Sequence, residues 1–316
     1  MNNIKYSFVL PAYKRRFIKE AIDSILAQTY TEFELIIIND ASPENLDTII
    51  NSYNDKRISY YTNEQNIGGK SLVMQWNHCI KYAQGEYLIL ASDDDIYHPE
   101  YLYTMNSLTE KYPNVNIFRP RIQIIDEKGD FKSTEAFMHE HMTLLDFMYL
   151  YSNHYITGGI PFYLFKKKAI TDIGGFIDFP LAWGSDDATA LTIMQTQGIV
   201  TTNEILFSFR MSGENISSKK NNSKTLSQKL NARIMYFKIR ERIIEKIETT
   251  NVTEEKHLEW IKRNSSISIQ DNIYALIRQS TIYACLCNYK TISKITGLKK
   301  RWIMIQYLKR VAAILR

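Results

Sequence analysis

The first hundred residues alternate between short, almost unbroken apolar runs and stretches with helical periodicity. Ile4–Pro11, Phe33–Asn39 (FELIIIN), Arg57–Thr62 and Tyr87–Ala91 (YLILA) have the length and composition of strands buried on both faces. Between the first two, Arg16–Gln28 sets Phe17, Ala21, Ile22, Ile25 and Leu26 on one side of a helix. A second helix is predicted after Pro43 through Tyr53, and a third from about Ser71 to Ala83. Helices alternating with strands in this way predict an α/β fold, a mostly parallel sheet flanked by helices on both faces. After Tyr87–Ala91 a helix pattern resumes at Pro99, a residue suited to the first helical position.

The middle of the chain is less regular. Asn116–Ile125 predicts a strand, Glu127–Asp130 a turn and Met142–Tyr151 a helix. Thr157-Gly158-Gly159-Ile160-Pro161 breaks the pattern and leads into a short strand, Phe162–Phe165. A brief helix, Ala169–Ile173, is closed by Gly174-Gly175; another, Asp187–Gln197, stops at Gly198 before an extended run, Ile199–Arg210. The composition then shifts. Ser217–Ser227 (SSKKNNSKTLS) predicts a linker or loop. Only helices are expected beyond it, over Gln228–Glu248, Thr253–Arg263, Asp271–Cys285 and Tyr289–Leu315. The expected organisation is an α/β domain over 1–217 and a helical extension over 218–316.

Composition narrows the partners. With 316 residues, 45% of them hydrophobic, the chain can build a sizeable core. A net charge of +5 is too mild to call for nucleic acid and suits phosphate-bearing small molecules or an anionic surface. Cys79, Cys285 and Cys287 lack metal-knuckle spacing and are expected as reduced thiols in a cytoplasmic protein. The start, MNNIKYSFVLPAY, has no signal-peptide pattern, and no apolar run approaches a membrane span of roughly 20 residues. Lys299–Arg316 carries six basic residues and no acid among large apolar ones. It suits a helix lying on the inner face of a membrane, or a last helix packed on its own domain or on a homodimer mate.

Candidate chemistry sits where apolar runs end. Asp93-Asp94-Asp95 follows one directly, and ligands of open α/β sheets bind beyond the carboxyl ends of the strands. Mg²⁺ takes one or two carboxylates plus phosphate oxygens, so the triplet suits a cation; it equally suits a capped, solvated turn. Asp40 could accept from a base or ribose, or cap the next helix. Tyr13, after Pro11-Ala12, could stack on a planar base. Asn66-Ile67-Gly68-Gly69-Lys70 is a glycine turn whose N–H groups and lysine could meet phosphate. Asp186-Asp187 opens a helix, where the helix dipole favours acids whether or not one is a general base. No GxSxG, HExxH or GxxxxGKS is present, and the six histidines are scattered, so a histidine metal site is not expected.

Taken in order over roughly residues 4–217, these pieces resemble the inverting family 2 glycosyltransferases of the GT-A fold, of the bacterial polysaccharide type. Ser7–Arg15 is similar to the family's first strand and nucleotide loop, and Asn39-Asp40-Ala41-Ser42 to its uracil-contacting element. Asn66–Gly69, Trp76-Asn77, Gly85-Glu86-Tyr87, the acidic motif Asp93–Pro99 and Gly174-Gly175-Phe176 follow in family order. The segment from Asp187 to Gly198 matches the family's run from its Glu-Asp pair to a closing glycine. The resemblance implies a UDP-sugar donor bound by Pro11, Ala12, Tyr13, Arg15, Asp40, Asn66, Gly68, Lys70, Asp93 and Asp95. It implies Mn²⁺ or Mg²⁺ on Asp94 with Asp93 beside it, and Asp187 as the general base with Asp186 next to it. The implied acceptor is a hydroxyl of a glycan or lipid-linked glycan. Two departures stand out: the usual Glu-Asp pair is Asp186-Asp187, and Ser212 stands where the family often has a histidine two residues after the arginine matching Arg210. A sugar-phosphate nucleotidyltransferase, the rival enzyme class, would carry a glycine-rich basic loop, whereas Pro11–Arg16 has the bases without the glycine. A nucleotide-sugar-binding module without turnover is the non-enzymatic rival.

Overall fold

The computed structural model describes residues 4–213, 220–248 and 255–297, with 299, 301, 302 and 305 beyond them. The chain divides into two compact units, Met1–Asp178 with Ser185–Ser212, and Phe179–Gly184 with Gly213–Arg316.

In the first unit, β1 (Tyr6–Ala12), β2 (Phe33–Asn39), β3 (Ile58–Thr62) and β4 (Tyr87–Leu90) form a parallel array in the order β3-β2-β1-β4. Every residue of β2 and β4 is buried, as their unbroken apolar runs require. Helices α1 (Ile18–Leu26), α2 (Asp47–Ile50), α3 (Leu72–Cys79) and α4 (Tyr101–Lys111) make the connections, with the two-residue β5 (Ile96–Tyr97) before α4. One core cluster joins Phe8, Leu10, Ile22, Ile25, Leu35 and Ile37 to Leu102, Met105 and Phe118.

The sheet continues through β6 (Ile117–Asp126), β7 (Phe131–Thr134), β8 (His141–Met142), β9 (Leu164–Lys166) and β10 (Ile199–Met211). Here one inversion decides the architecture. Strand β9 lies between β4 and β6 and runs antiparallel to both, while β10 is parallel to β6. Strands β4, β6 and β10 therefore point the same way. Residues leaving β4 and β10 and residues entering β9 all arrive at one edge of the sheet. The remaining helices are α5 (Leu144–Ser152), α6 (Lys167–Asp172) and α7 (Ser185–Met194).

The second unit holds α8 (Ser223–Glu248), α9 (Glu255–Arg263), α10 (Ser265–Arg278), α11 (Ile282–Cys287) and α12 (Tyr289–Thr296). Leu226 and Leu230 of α8 pack with Ile273, Leu276, Ile277, Ala284, Cys285 and Ile292.

Several expectations need correction. The helix expected through Tyr53 shrinks to α2, because Asn39, Ser42 and Asn45 turn their side chains onto the Ser42, Glu44 and Thr48 N–H groups and compete with the helix. Pro99 is not the first helical residue; α4 starts at Tyr101, after β5 pairs with β10. Ser223–Ser227, expected as loop, is the first turn of α8, with the Asn222 side chain accepting from Thr225 N–H at 2.8 Å. The helix expected over Asp271–Cys285 breaks before Thr281, whose hydroxyl caps α11. The helix expected from Tyr289 ends at Gly297, which is left-handed at φ 70°. Almost all of the basic segment Lys299–Arg316 lies outside the described residues. Among those residues, no helix is long and apolar enough to cross a membrane.

Candidate active site

The acidic triplet begins three residues beyond β4 and meets the ends of its neighbours. Asp93 Oδ2 accepts from the N–H groups of Tyr13 and Lys14, at 3.1 and 2.8 Å, which ties the tip of β1 to the end of β4. Asp94 is buried, and the Ser92 hydroxyl donates to its Oδ1. Asp95 Oδ1 accepts from Arg210 N–H at 2.8 Å, while its Oδ2 is buried with no hydrogen-bond partner among the described residues. Burial, then the charge of Asp94, pushes the Asp95 carboxyl well above the usual carboxylate range. Asp93 is raised too, first by burial, against the pull of its two N–H donors.

Arg210 arrives at the end of β10 and braces this loop. Its Nε donates to the Asp94 carbonyl at 2.9 Å, Nη1 to the Glu127 carbonyl at 3.2 Å and Nη2 to Glu20 at 2.6 Å, with the Phe17 ring 4.4 Å beneath the guanidinium. The side chain is 1% exposed.

Asp40 continues the edge at the end of β2. Its N–H donates to the Ala12 carbonyl at 3.0 Å. Its carboxylate is a hub: Oδ1 accepts from Asn63 Nδ2 (2.7 Å) and Ile67 N–H (2.8 Å), and Oδ2 from Gly68 N–H (2.7 Å). A Cβ on Gly68 would stand 2.8 Å from Oδ2, so glycine is needed for this approach. The next residue, Ala41, takes the left-handed φ of 49° that this corner demands. Asn66 folds back on Gly69 N–H, and Tyr13, 40% exposed, stands at the tip of β1.

Asp187 lies in the first turn of α7 and is 8% exposed. Tyr151, near the end of α5, donates its hydroxyl to Asp187 Oδ2 at 2.8 Å, and the Asp186 side chain accepts from Asp187 N–H at 2.9 Å. On the other side the main chain comes very close: a Cβ built on Gly158 would sit 2.2 Å from Asp187 Oδ1. Gly158 belongs to the segment entering β9, so topology carries it to the edge that holds Asp93.

The structure thus gathers Pro11, Ala12, Tyr13, Asp40, Asn66, Gly68, Asp93, Asp94 and Asp95 along one edge. Arg15 bonds the Asn45 carbonyl and Thr48, and Lys70 bonds Gln65 at 3.1 Å. Gly85 lies at the opposite end of the strands, its N–H on the Ser7 hydroxyl at 2.8 Å, where any Cβ would strike Ser7. Asn77 clamps the Gly174-Gly175-Phe176 turn by accepting from Phe176 N–H (2.8 Å) and donating to its carbonyl (3.0 Å). Ser212 is buried just past β10. Sequence reasoning did not single out Tyr151, Gly158 or Asn63. Only the Gly158-Gly159 pair carried a local signal, and it read as a helix breaker.

Among the described residues no three metal-ligating side chains converge. The triplet still fits a cation that brings its own oxygens. Two adjacent carboxylates, one accepting from two N–H groups and one from a hydroxyl, lie beside a buried carboxylate oxygen lacking a donor. Hard divalent cations bridged to a diphosphate use one or two such carboxylates.

This mixed sheet with acids along its carboxyl edge and a helical extension is a GT-A glycosyltransferase fold. It matches Staphylococcus aureus TarS 1-349 in complex with UDP-GlcNAc at a TM-score of 0.61, with 17% identity over 93% of this chain and 90% of that one. It also matches the mannosyltransferase PcManGT from Pyrobaculum calidifontis in complex with GDP-Man and Mn²⁺ at 0.55, with 12% identity over 98% and 86%. The chain belongs to glycosyl transferase family 2, whose model matches residues 7–171, just over half of its length. An uncharacterized glycosyltransferase of Rickettsia typhi is 34% identical over 173 residues, 52% of this chain. That match spans about half of the relative's length, 53%.

Proposed function

We propose that the protein transfers a sugar, with inversion, from a UDP-linked donor to a hydroxyl of a glycan or lipid-linked glycan, working in the cytoplasm. The observation that carries this reading is the shared edge. The tip of β1, the end of β2 and the acidic loop after β4 are hydrogen-bonded into one rim, toward which the inverted β9 also brings the segment packed on Asp187. Tyr13 offers an exposed ring to the base, and Asp40 fixes the turn beneath it. Asp93 and Asp94 would hold Mn²⁺ or Mg²⁺. When bound, the cation offsets the charge building on the leaving diphosphate.

Asp187 takes the proton from the acceptor hydroxyl. The oxygen then bonds to the anomeric carbon from the face opposite UDP, as the bond from that carbon to the diphosphate breaks. The TarS complex with UDP-GlcNAc and the PcManGT complex with GDP-Man and Mn²⁺ support a nucleotide-sugar donor.

The test is UDP release from a panel of donors, with and without Mn²⁺, for the wild type and Asp187→Asn. The variant should keep its thermal stabilisation by donor and lose about 10²–10⁴-fold in transfer, the usual worth of general-base help. Wild-type turnover in Asp187→Asn removes that residue from the role. Consumption of a nucleoside triphosphate would instead make the protein a nucleotidyltransferase, and binding without release would make it a binding module.

A further inference from the structure

The surroundings of Asp187 are more elaborate than a base on a helix end requires. Tyr151 donates to Oδ2, and its ring stacks on Phe147 with centroids 6.0 Å apart and planes 10° apart, which fixes where the phenol points. The helix that carries both aromatics is held by a capping box at Thr143 and Asp146. Oδ1 lies against the Gly158 main chain, closer than any side chain would allow.

The peptide before Gly158 is gripped from both directions. Thr157 N–H and hydroxyl donate to Glu135 Oε1, at 2.6 and 3.0 Å. Arg119 Nη1 donates to the Thr157 carbonyl at 2.8 Å, and Arg119 is itself paired with Glu135. Arg119 is 0% exposed and lies 5.8 Å from the ring centroids of both Phe162 and Tyr163. A buried ion pair is a costly way to stabilise a fold, because desolvation consumes most of its attraction. It is an effective way to fix one peptide in one place.

We propose that Asp187 is held in its working orientation by a two-sided clamp. Tyr151 forms one jaw, and the Gly158 main chain, set by the Arg119–Glu135 pair through Thr157, forms the other. The clamp rests on the reading of Asp187 as the base. Tyr151, Gly158, Arg119 and Glu135 are positioning residues, since each acts through Asp187. Asp186 from its own helix and Tyr151 from α5 lie beside the carboxylate, and the charges of Arg119, Asp187, Asp186 and Glu135 all act on the buried Tyr163 phenol.

Each jaw has a distinct readout. Tyr151→Phe removes the donor to Oδ2 and frees the carboxylate to turn, and should lower kcat about tenfold with the KM for donor unchanged. Gly158→Ala forces the carboxylate aside and should lower kcat at least about tenfold, while donor still stabilises the protein thermally. Measured beside Asp187→Asn, these variants separate the two claims. If Asp187→Asn is inactive while Tyr151→Phe keeps the wild-type kcat, the clamp is wrong and the base stands. If Asp187→Asn turns over like wild type, the base reading falls and the clamp falls with it.

Discussion

At the scale of single residues, the acidic triplet is three different groups. Asp93 is a latch on the β1 tip, Asp94 faces Ser92, and Asp95 is a buried acid that leans on Arg210. Arg210 braces two of the three, through the Asp95 carboxylate and the Asp94 carbonyl. Its pairing with Glu20 contributes little, since Glu20 is half exposed and exposed pairs are worth at most about 1 kcal/mol. The fork matters because it reaches two main-chain carbonyls from a buried position. Arg210→Lys keeps the charge and loses that fork. We expect it to lower stability by about 1–3 kcal/mol in urea unfolding, the cost of leaving buried partners unmet. A midpoint equal to wild type would show that the loop holds itself. Asp93–Asp95 was legible in sequence because an apolar strand stops there. Its division of labour was not, because the partner that divides it lies 115 residues away at Asp95 to Arg210.

At the scale of elements, long buried strands and strongly periodic helices were legible, and short ones were not. β7 exposes all four of its residues, and β5 and β8 have only two residues each, too few to show a period. Helix ends were misjudged wherever a side chain capped the main chain in mid-pattern, as Thr281 does. Helix α8 adds an anomaly that no pattern announces. Lys229 is 1% exposed, its ammonium has no hydrogen-bond partner among the described residues, and it lies 3.7 Å from the Trp183 ring centroid. Burial, then the nearby Arg233 charge, lowers its pKa from 10.5 to about 8. The unfolded chain therefore binds more protons than the folded one between about pH 8 and 10.5, so this lysine makes stability rise with pH across that window. The difference in urea midpoint between wild type and Lys229→Met, followed by circular dichroism, should shift steadily in favour of wild type from pH 8 to 10. Parallel curves would mean that Lys229 titrates normally.

At the scale of the whole molecule, the order of motifs revealed more than any one motif. Asp40 alone reads as a helix cap, and Asp186-Asp187 alone as acids at a helix start; their sequence along the chain carried the resemblance. What order could not supply was the inversion of β9, which is three residues long. The rim it completes belongs to the first unit, so donor should act there. Saturating UDP with Mn²⁺ at about 100 times its Kd should stabilise the unit containing Asp40 and Asp93 by about 2.7 kcal/mol, seen as a rise in its unfolding temperature. No rise with UDP, with or without the cation, would count against the rim as the nucleotide site.

The same inverted strand has a consequence for the chain while it is being made. Strands β1 to β4 emerge from the ribosome in order and can pair at once. The outer side of β4, however, waits for Leu164, about 75 residues after Leu90, before β9 covers it. At about 5–20 residues per second that is several seconds with a fully apolar strand edge open to other nascent chains. The inversion that completes the rim therefore makes this stretch of translation the interval in which a chaperone matters most.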